Sequence, residues 1–264
     1  MTDDREKLAA VLDEAMLNAS PVPQLTEHAP LDVASAYEVQ ECLVRRRLDR
    51  GERMAGVKLG FTSKAKMRQM GVDDLIWGRL TDAMRRPDGD VVAVTDFVHP
   101  RIEPEVAFLL DRTLDGPVGT ADAARAVAAV APAYEIIDSR YRDFRFSLAD
   151  VVADNSSSAA FGVGPWRAAT GLDLAGDLAN VGMVLEVDGR IAEVGSSAAI
   201  LGHPLRSVVS AARLAAAAGL TLEAGSVILA GAATAAVPLE PGRHVAVRTG
   251  RLGDVEVTTE GGRT

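Results

Sequence analysis

Three acidic side chains and one lysine carry most of the chemistry that this chain's spacing suggests. In His99-Pro-Arg-Ile-Glu-Pro-Glu-Val-Ala-Phe-Leu-Leu110, the residues Glu103 and Glu105 stand two apart. On a strand that spacing puts both carboxylates on one face, where they repel each other unless a cation lies between them. Glu135 sits in the apolar stretch Pro-Ala-Tyr-Glu-Ile-Ile-Asp-Ser, among residues that favour burial. Three converging carboxylates form a hard-oxygen environment suited to Mg²⁺ or Mn²⁺, ions that keep waters for a substrate to displace. The same spacing also fits two carboxylates on the solvent face of an edge strand.

Lys58 lies in Gly56-Val-Lys-Leu-Gly60, where glycines let a backbone or ligand come close. It is read as an acid or base, as a holder of a substrate carboxylate, or as a solvated surface lysine. Asp154-Asn-Ser-Ser-Ser158 offers enough small polar groups to line a pocket, and it also suits a plain capping loop.

Other motifs fail on inspection. Gly162-Val-Gly164 begins a dinucleotide fingerprint, but Pro165 and a missing third glycine spoil it. Gly195-Ser-Ser-Ala lacks the last glycine of a nucleophile elbow. His28, His99, His203 and His244 show no metal-ligand spacing.

The elements that must position these groups follow from periodicity. Apolar residues three and four apart predict helices over 3–19 and 32–51, the second capped by Asp32 and ending at Gly51. A strand over 56–60 and a helix over 63–71 come next. Beyond about residue 85, Val/Ile/Leu-rich segments predict strands over 90–97, 101–111, 132–139, 181–187, 226–230 and 244–248. Asp188-Gly189 and Pro241-Gly242 are turn signals, and helices are expected only over 121–129 and 204–218. That is too few to cover both faces of a doubly wound sheet. The expected class is α+β, with a mostly helical N-terminal part (1–84) carrying Lys58, packed on a large mixed β-rich body (85–264).

Composition narrows the partners. The 264 residues carry a formal net charge of −9, which offers no basic surplus for nucleic acid. A single cysteine, Cys42, excludes an intrachain disulfide framework and fits a reducing cytoplasm. The acidic start is unlike a secretory signal, and no apolar run is long enough to span a membrane, the Ala-rich 208–219 being interrupted by Arg213.

Lys58-Leu-Gly-Phe-Thr-Ser63, Pro100-Arg-Ile-Glu-Pro-Glu105, Glu135-Ile-Ile-Asp-Ser-Arg-Tyr141, Asp154-Asn-Ser-Ser157 and Ala230-Gly-Ala-Ala-Thr234 together resemble the fumarylacetoacetase-type superfamily, in its hydratase/decarboxylase branch. The motifs occur in the same order from about residue 5 to the C-terminus. The resemblance implies the fumarylacetoacetase C-terminal type of fold. It also implies Mg²⁺, or Mn²⁺, held at Glu103, Glu105 and Glu135, with Lys58 catalytic and Asn155, Ser157, Arg140, Thr234 and Ile76 around the substrate.

The stretch Met67 to Met84 resembles decarboxylases, because Ile76-Trp77-Gly78 stands where hydratases carry Asp-Phe-Gly. His203 departs from the expected Asn. The implied reaction is decarboxylation of 2-oxohex-3-enedioate to 2-hydroxypenta-2,4-dienoate in meta-cleavage catabolism of aromatic compounds. The alternatives are hydration of 2-oxopent-4-enoate and a noncatalytic partner of a hydratase. A cytoplasmic homo-oligomer associated with the pathway hydratase is also implied.

Overall fold

The computed structural model describes residues 2–63, 67–68 and 74–261. The helix expected over 63–71 falls largely outside them. Helix α1 (Thr2–Leu17) and α2 (Val33–Asp49) pack together at the N-terminus. The Asp32 carboxylate accepts from the Ser35 amide at 2.7 Å and so satisfies one orphan donor at the start of α2. Farther along lie α3 (Thr120–Ala126), α4 (Leu148–Ala153), α5 (Leu174–Asp177) and α6 (Leu205–Ala217).

The strands are β1 (Met54–Gly60), β2 (Ile76–Thr81), β3 (Arg85–Arg86), β4 (Asp90–Val92), β5 (Pro100–Leu110), β6 (Val127–Asp138) and β7 (Ser158–Val163). They continue with β8 (Arg167–Ala168), β9 (Gly182–Val187), β10 (Arg190–Ser196), β11 (Val227–Leu229), β12 (Val237–Pro238), β13 (His244–Thr249) and β14 (Gly253–Thr259).

A nine-stranded mixed sheet runs β2-β1-β11-β5-β6-β7-β3, with β12 also on β5 and β8 on β6. A five-stranded sheet runs β10-β9-β13-β14-β4. The main core lies between the sheets. Ile102, Val106 and Phe108 of β5 and Val130 and Ile136 of β6 meet Met183, Leu185, Val245 and Val257 there. Because strand side chains alternate, Glu103, Glu105 and Glu135 point to the other face of the same two strands. That face is lined by small and apolar residues, among them Ala107, Ala131, Ala133, Phe161 and Leu229.

The α+β class and the body of the expected fold type are observed, with local differences. Two short helices, α4 and α5, stand beyond the two expected after residue 85, each started by a side-chain cap, Ser147 on the Asp150 amide and Asp173 on the Ala175 amide. The strand expected over 90–97 stops at Val92, because β4 pairs only with β14, whose last paired residue is Thr259. The helix expected over 121–129 ends at Ala126, and Val127 onward joins β6, where pairing with β5 overrides the helix preference of the alanines. Strands β1 and β2, on the N-terminal side of residue 84, run within the large sheet next to β11.

Candidate metal centre and active site

Glu103 and Glu135 are register partners on antiparallel β5 and β6, and Glu105 follows on the same face. One ligand oxygen from each of the three lies within 4.8 Å of the others. Glu105 and Glu135 are fully buried and Glu103 is half-buried, so the cluster opens on the Glu103 side.

Lys58 reaches the cluster from β1. It is 3% exposed, and its Nζ stands 3.2 Å from Glu135 Oε2. Ser158 donates to the other oxygen of Glu135 at 2.8 Å. The Gly231 amide donates to Glu105 Oε2 at 2.7 Å, whereas Glu105 Oε1 is buried without a protein partner. Gly231 adopts φ +106°, and a Cβ there would lie 2.3 Å from the Thr62 hydroxyl, so the close approach of its amide to Glu105 requires glycine. Burial, then the charges of Glu135 and Glu103, push the Glu105 carboxyl well above the usual carboxylate range.

Asn155, Ser156 and Ser157 all have positive φ (48°, 53° and 59°), an uncommon conformation for three consecutive residues with side chains. Long-range hydrogen bonds hold them there. The Asn155 side chain accepts from the Arg79 amide at 2.8 Å and donates to the Arg79 carbonyl at 2.8 Å. Ser156 Oγ donates to the Trp77 carbonyl. Gly78 fits this contact because a Cβ there would lie 2.5 Å from the Asn155 carbonyl oxygen. The turn thereby delivers Ser158 onto Glu135 and leaves Ser157 Oγ buried without a hydrogen-bond partner.

The structure thus brings Lys58, Glu103, Glu105 and Glu135 into one cluster. Asn155 ties the neighbouring turn to β2. Arg140 is 1% exposed and ion-pairs with Asp154 at 2.5 Å, donating also to the carbonyls of Asp154 and Ser158. Its donors therefore serve the turn. Ile76 is 4% exposed and packs with Tyr141, Val152 and the N-terminal helices. Thr234 is half-buried and donates to the Ala235 carbonyl.

Sequence reasoning passed over Arg101, and it read Ser158 only as one of the polar groups of the 154–158 segment. Arg101 precedes Glu103 by two and shares its face, and its guanidinium stacks 4.5 Å from the centroid of Phe144. Among the described residues no carboxylate pairs with Arg101. The i, i+2 rule that found the Glu pair would have found it too.

The donor set fits a divalent ion. Among the described residues it is made of carboxylate oxygens, with the Lys58 ammonium beside Glu135 and one buried Glu105 oxygen lacking a hydrogen-bond partner.

Residues 53–259 match the family described as fumarylacetoacetate (FAA) hydrolase C-terminal. The chain belongs to this family. A 4-oxalocrotonate decarboxylase of Pseudomonas sp is 52% identical over 257 residues, covering 97% of this chain and 98% of the relative. A 2-keto-4-pentenoate hydratase of Paraburkholderia xenovorans is 36% identical, over 97% of this chain and 95% of its own. The solved structure of 4-oxalocrotonate decarboxylase from Pseudomonas putida G7, complexed with magnesium and adipate, superposes with a TM-score of 0.93. It is 39% identical, and 98% of each chain is covered.

Proposed function

We propose that the chain is a metal-dependent carboxy-lyase that converts 2-oxohex-3-enedioate (4-oxalocrotonate) to 2-hydroxypenta-2,4-dienoate and CO₂. The observation that carries this reading is the Glu103–Glu105–Glu135 cluster, closed to 4.8 Å, with Lys58 against Glu135. The 52% identity to a decarboxylase, against 36% to a hydratase, favours carbon–carbon cleavage over hydration.

Glu103, Glu105 and Glu135 would hold Mg²⁺ or Mn²⁺. When bound, the ion would take the 1-carboxylate and 2-oxo group of the substrate and would draw electrons toward the oxo oxygen. Cleavage of the C5–C6 bond releases CO₂, and its electron pair shifts through the conjugated chain to the 2-oxo oxygen, which takes up one proton. Lys58 faces this end as proton donor or positioning cation, its ammonium held in place by Glu135. Apolar walls at Phe161 and Leu229 limit water around the reacting chain. Arg101 lies on the same strand face about 7 Å along β5 from Glu103, at ~3.4 Å per residue, a span that suits the second carboxylate of a six-carbon diacid.

In this reading, residues 1–84 contribute Lys58 and residues 85–264 contribute the carboxylates. No helix among the described residues is long and apolar enough to cross a membrane. Placement in the cytoplasm, in meta-cleavage catabolism of aromatic compounds, and assembly into homo-oligomers that associate with a hydratase belong to the same proposal. Purified protein should release CO₂ from 2-oxohex-3-enedioate with Mg²⁺ present, stop on chelation with EDTA and resume when Mg²⁺ is restored. Turnover that is indifferent to EDTA would sink the metal-dependent reading.

A further inference from the structure

A second site lies on the opposite face of β1 and β2. Register pairs Val57 with Arg79 and Lys58 with Gly78, so Val57 and Arg79 point away from the carboxylate cluster. They line a groove of about 560 Å³, within the size range of small-molecule sites, whose apolar wall includes Val44, Leu48, Trp77, Ala215 and Leu222.

Arg79 is unusual here. It is only 7% exposed, its guanidinium carbon lies 5.4 Å from the Trp77 ring centroid, and its Nε is buried with no hydrogen-bond partner. Among the described residues no carboxylate stands within ion-pair distance of it. Glu41 lines the same groove and attracts Arg79 without pairing, while Arg45 at the rim is engaged by Glu6. Burial lowers the Arg79 pKa, with Glu41 opposing the shift. A guanidinium buried without a hydrogen-bonded counter-charge is costly, and an acceptor anion that bonds to it in the groove lowers the cost.

We infer that this groove binds an organic monocarboxylate with an apolar chain, its carboxylate on Arg79 and its chain along Trp77, Val44, Leu48 and Leu222. The groove is separate from the metal-ligating carboxylates, and its occupant would touch Val57, the residue next to Lys58.

Trp77 is one of two tryptophans in the chain, so Trp166→Phe leaves it as the sole indole reporter. In that background, with Mg²⁺ present, hexanoate should produce a saturable change in Trp77 emission. 1-Hexanol and hexylamine should bind at least roughly tenfold more weakly, as expected where a charge-assisted hydrogen bond is lost. Arg79→Met should lose hexanoate affinity to the same extent. Should that variant not fold, the comparison of hexanoate with 1-hexanol decides alone. Equal affinity for hexanoate and 1-hexanol, or no saturable response, would overturn the inference. So would Trp77 emission that changes on dilution but ignores hexanoate, since a second copy of the chain would then fill the groove.

Discussion

Glu103 and Glu135 face each other directly across β5 and β6, two acidic residues in register on the inner face of a sheet. Like charges in that arrangement destabilise a strand pair, and Glu105 adds a third within the same 4.8 Å cluster. Among the described residues, Lys58 brings a buried cation to it through Glu135. The arrangement therefore costs stability until a divalent ion occupies it, and two of the predictions follow from that.

Glu105→Gln removes one anionic ligand and one repulsive charge. Its Mg²⁺ affinity should fall by roughly tenfold or more, since even the loss of outer partners of a metal site costs 10 to 100-fold. Excess Mg²⁺ should restore activity only in part. In EDTA the variant should melt at a higher temperature than the parent, and calorimetry with and without Mg²⁺ checks both signs. A variant that binds Mg²⁺ as the parent does would remove Glu105 from the ligand set.

Lys58→Ala should lower kcat/KM by roughly 10²-fold or more, the usual contribution of a positioned acid or base. With Mg²⁺ bound its melting temperature should stay near that of the parent. In EDTA it should drop, because Glu135 then loses its buried cation. A large loss of stability with Mg²⁺ present would make Lys58 a structural residue instead.

Arg140 and Asp154 form an ion pair in which both side chains are nearly inaccessible, at 2% and 0% exposure. Asp154→Asn strands the guanidinium and should cost about 3–5 kcal/mol, read by urea denaturation. Activity should fall with the folded fraction, since the pair acts by holding the turn that carries Ser158. Unchanged stability would contradict this role.

Arg101→Met keeps the contact with Phe144 and removes the charge. KM for the diacid should rise about tenfold or more, as for loss of a charge-assisted hydrogen bond, with a smaller change in kcat. A fall in kcat at constant KM would exclude Arg101 from binding that carboxylate.

The alternation of Glu103 with Glu105, and the burial-prone surroundings of Glu135, make the carboxylates legible in the sequence, as the flanking glycines do for Lys58. Their meeting was not legible in spacing alone. Lys58 and Glu135 are 77 residues apart and come together only because β1, β11, β5 and β6 share one sheet. Arg140 and Ile76 mark the opposite limit. Both stand in motifs that suggest a substrate contact, yet one is consumed by Asp154 and the other by the apolar cluster around Tyr141. Residue type cannot separate a group that lines a pocket from one that braces its wall. Likewise β7, with Gly162 packed beneath the Tyr134 ring, carries too little β-branched character to be seen as a strand.

The most direct test of the central claim is simultaneous recording of CO₂ release and dienoate formation, with purified protein, Mg²⁺ and 2-oxohex-3-enedioate. One CO₂ should appear for each 2-hydroxypenta-2,4-dienoate, and that product, supplied alone, should persist. Rapid conversion of 2-hydroxypenta-2,4-dienoate to 4-hydroxy-2-oxopentanoate, with no CO₂ from the diacid, would contradict the account and make the chain a hydratase.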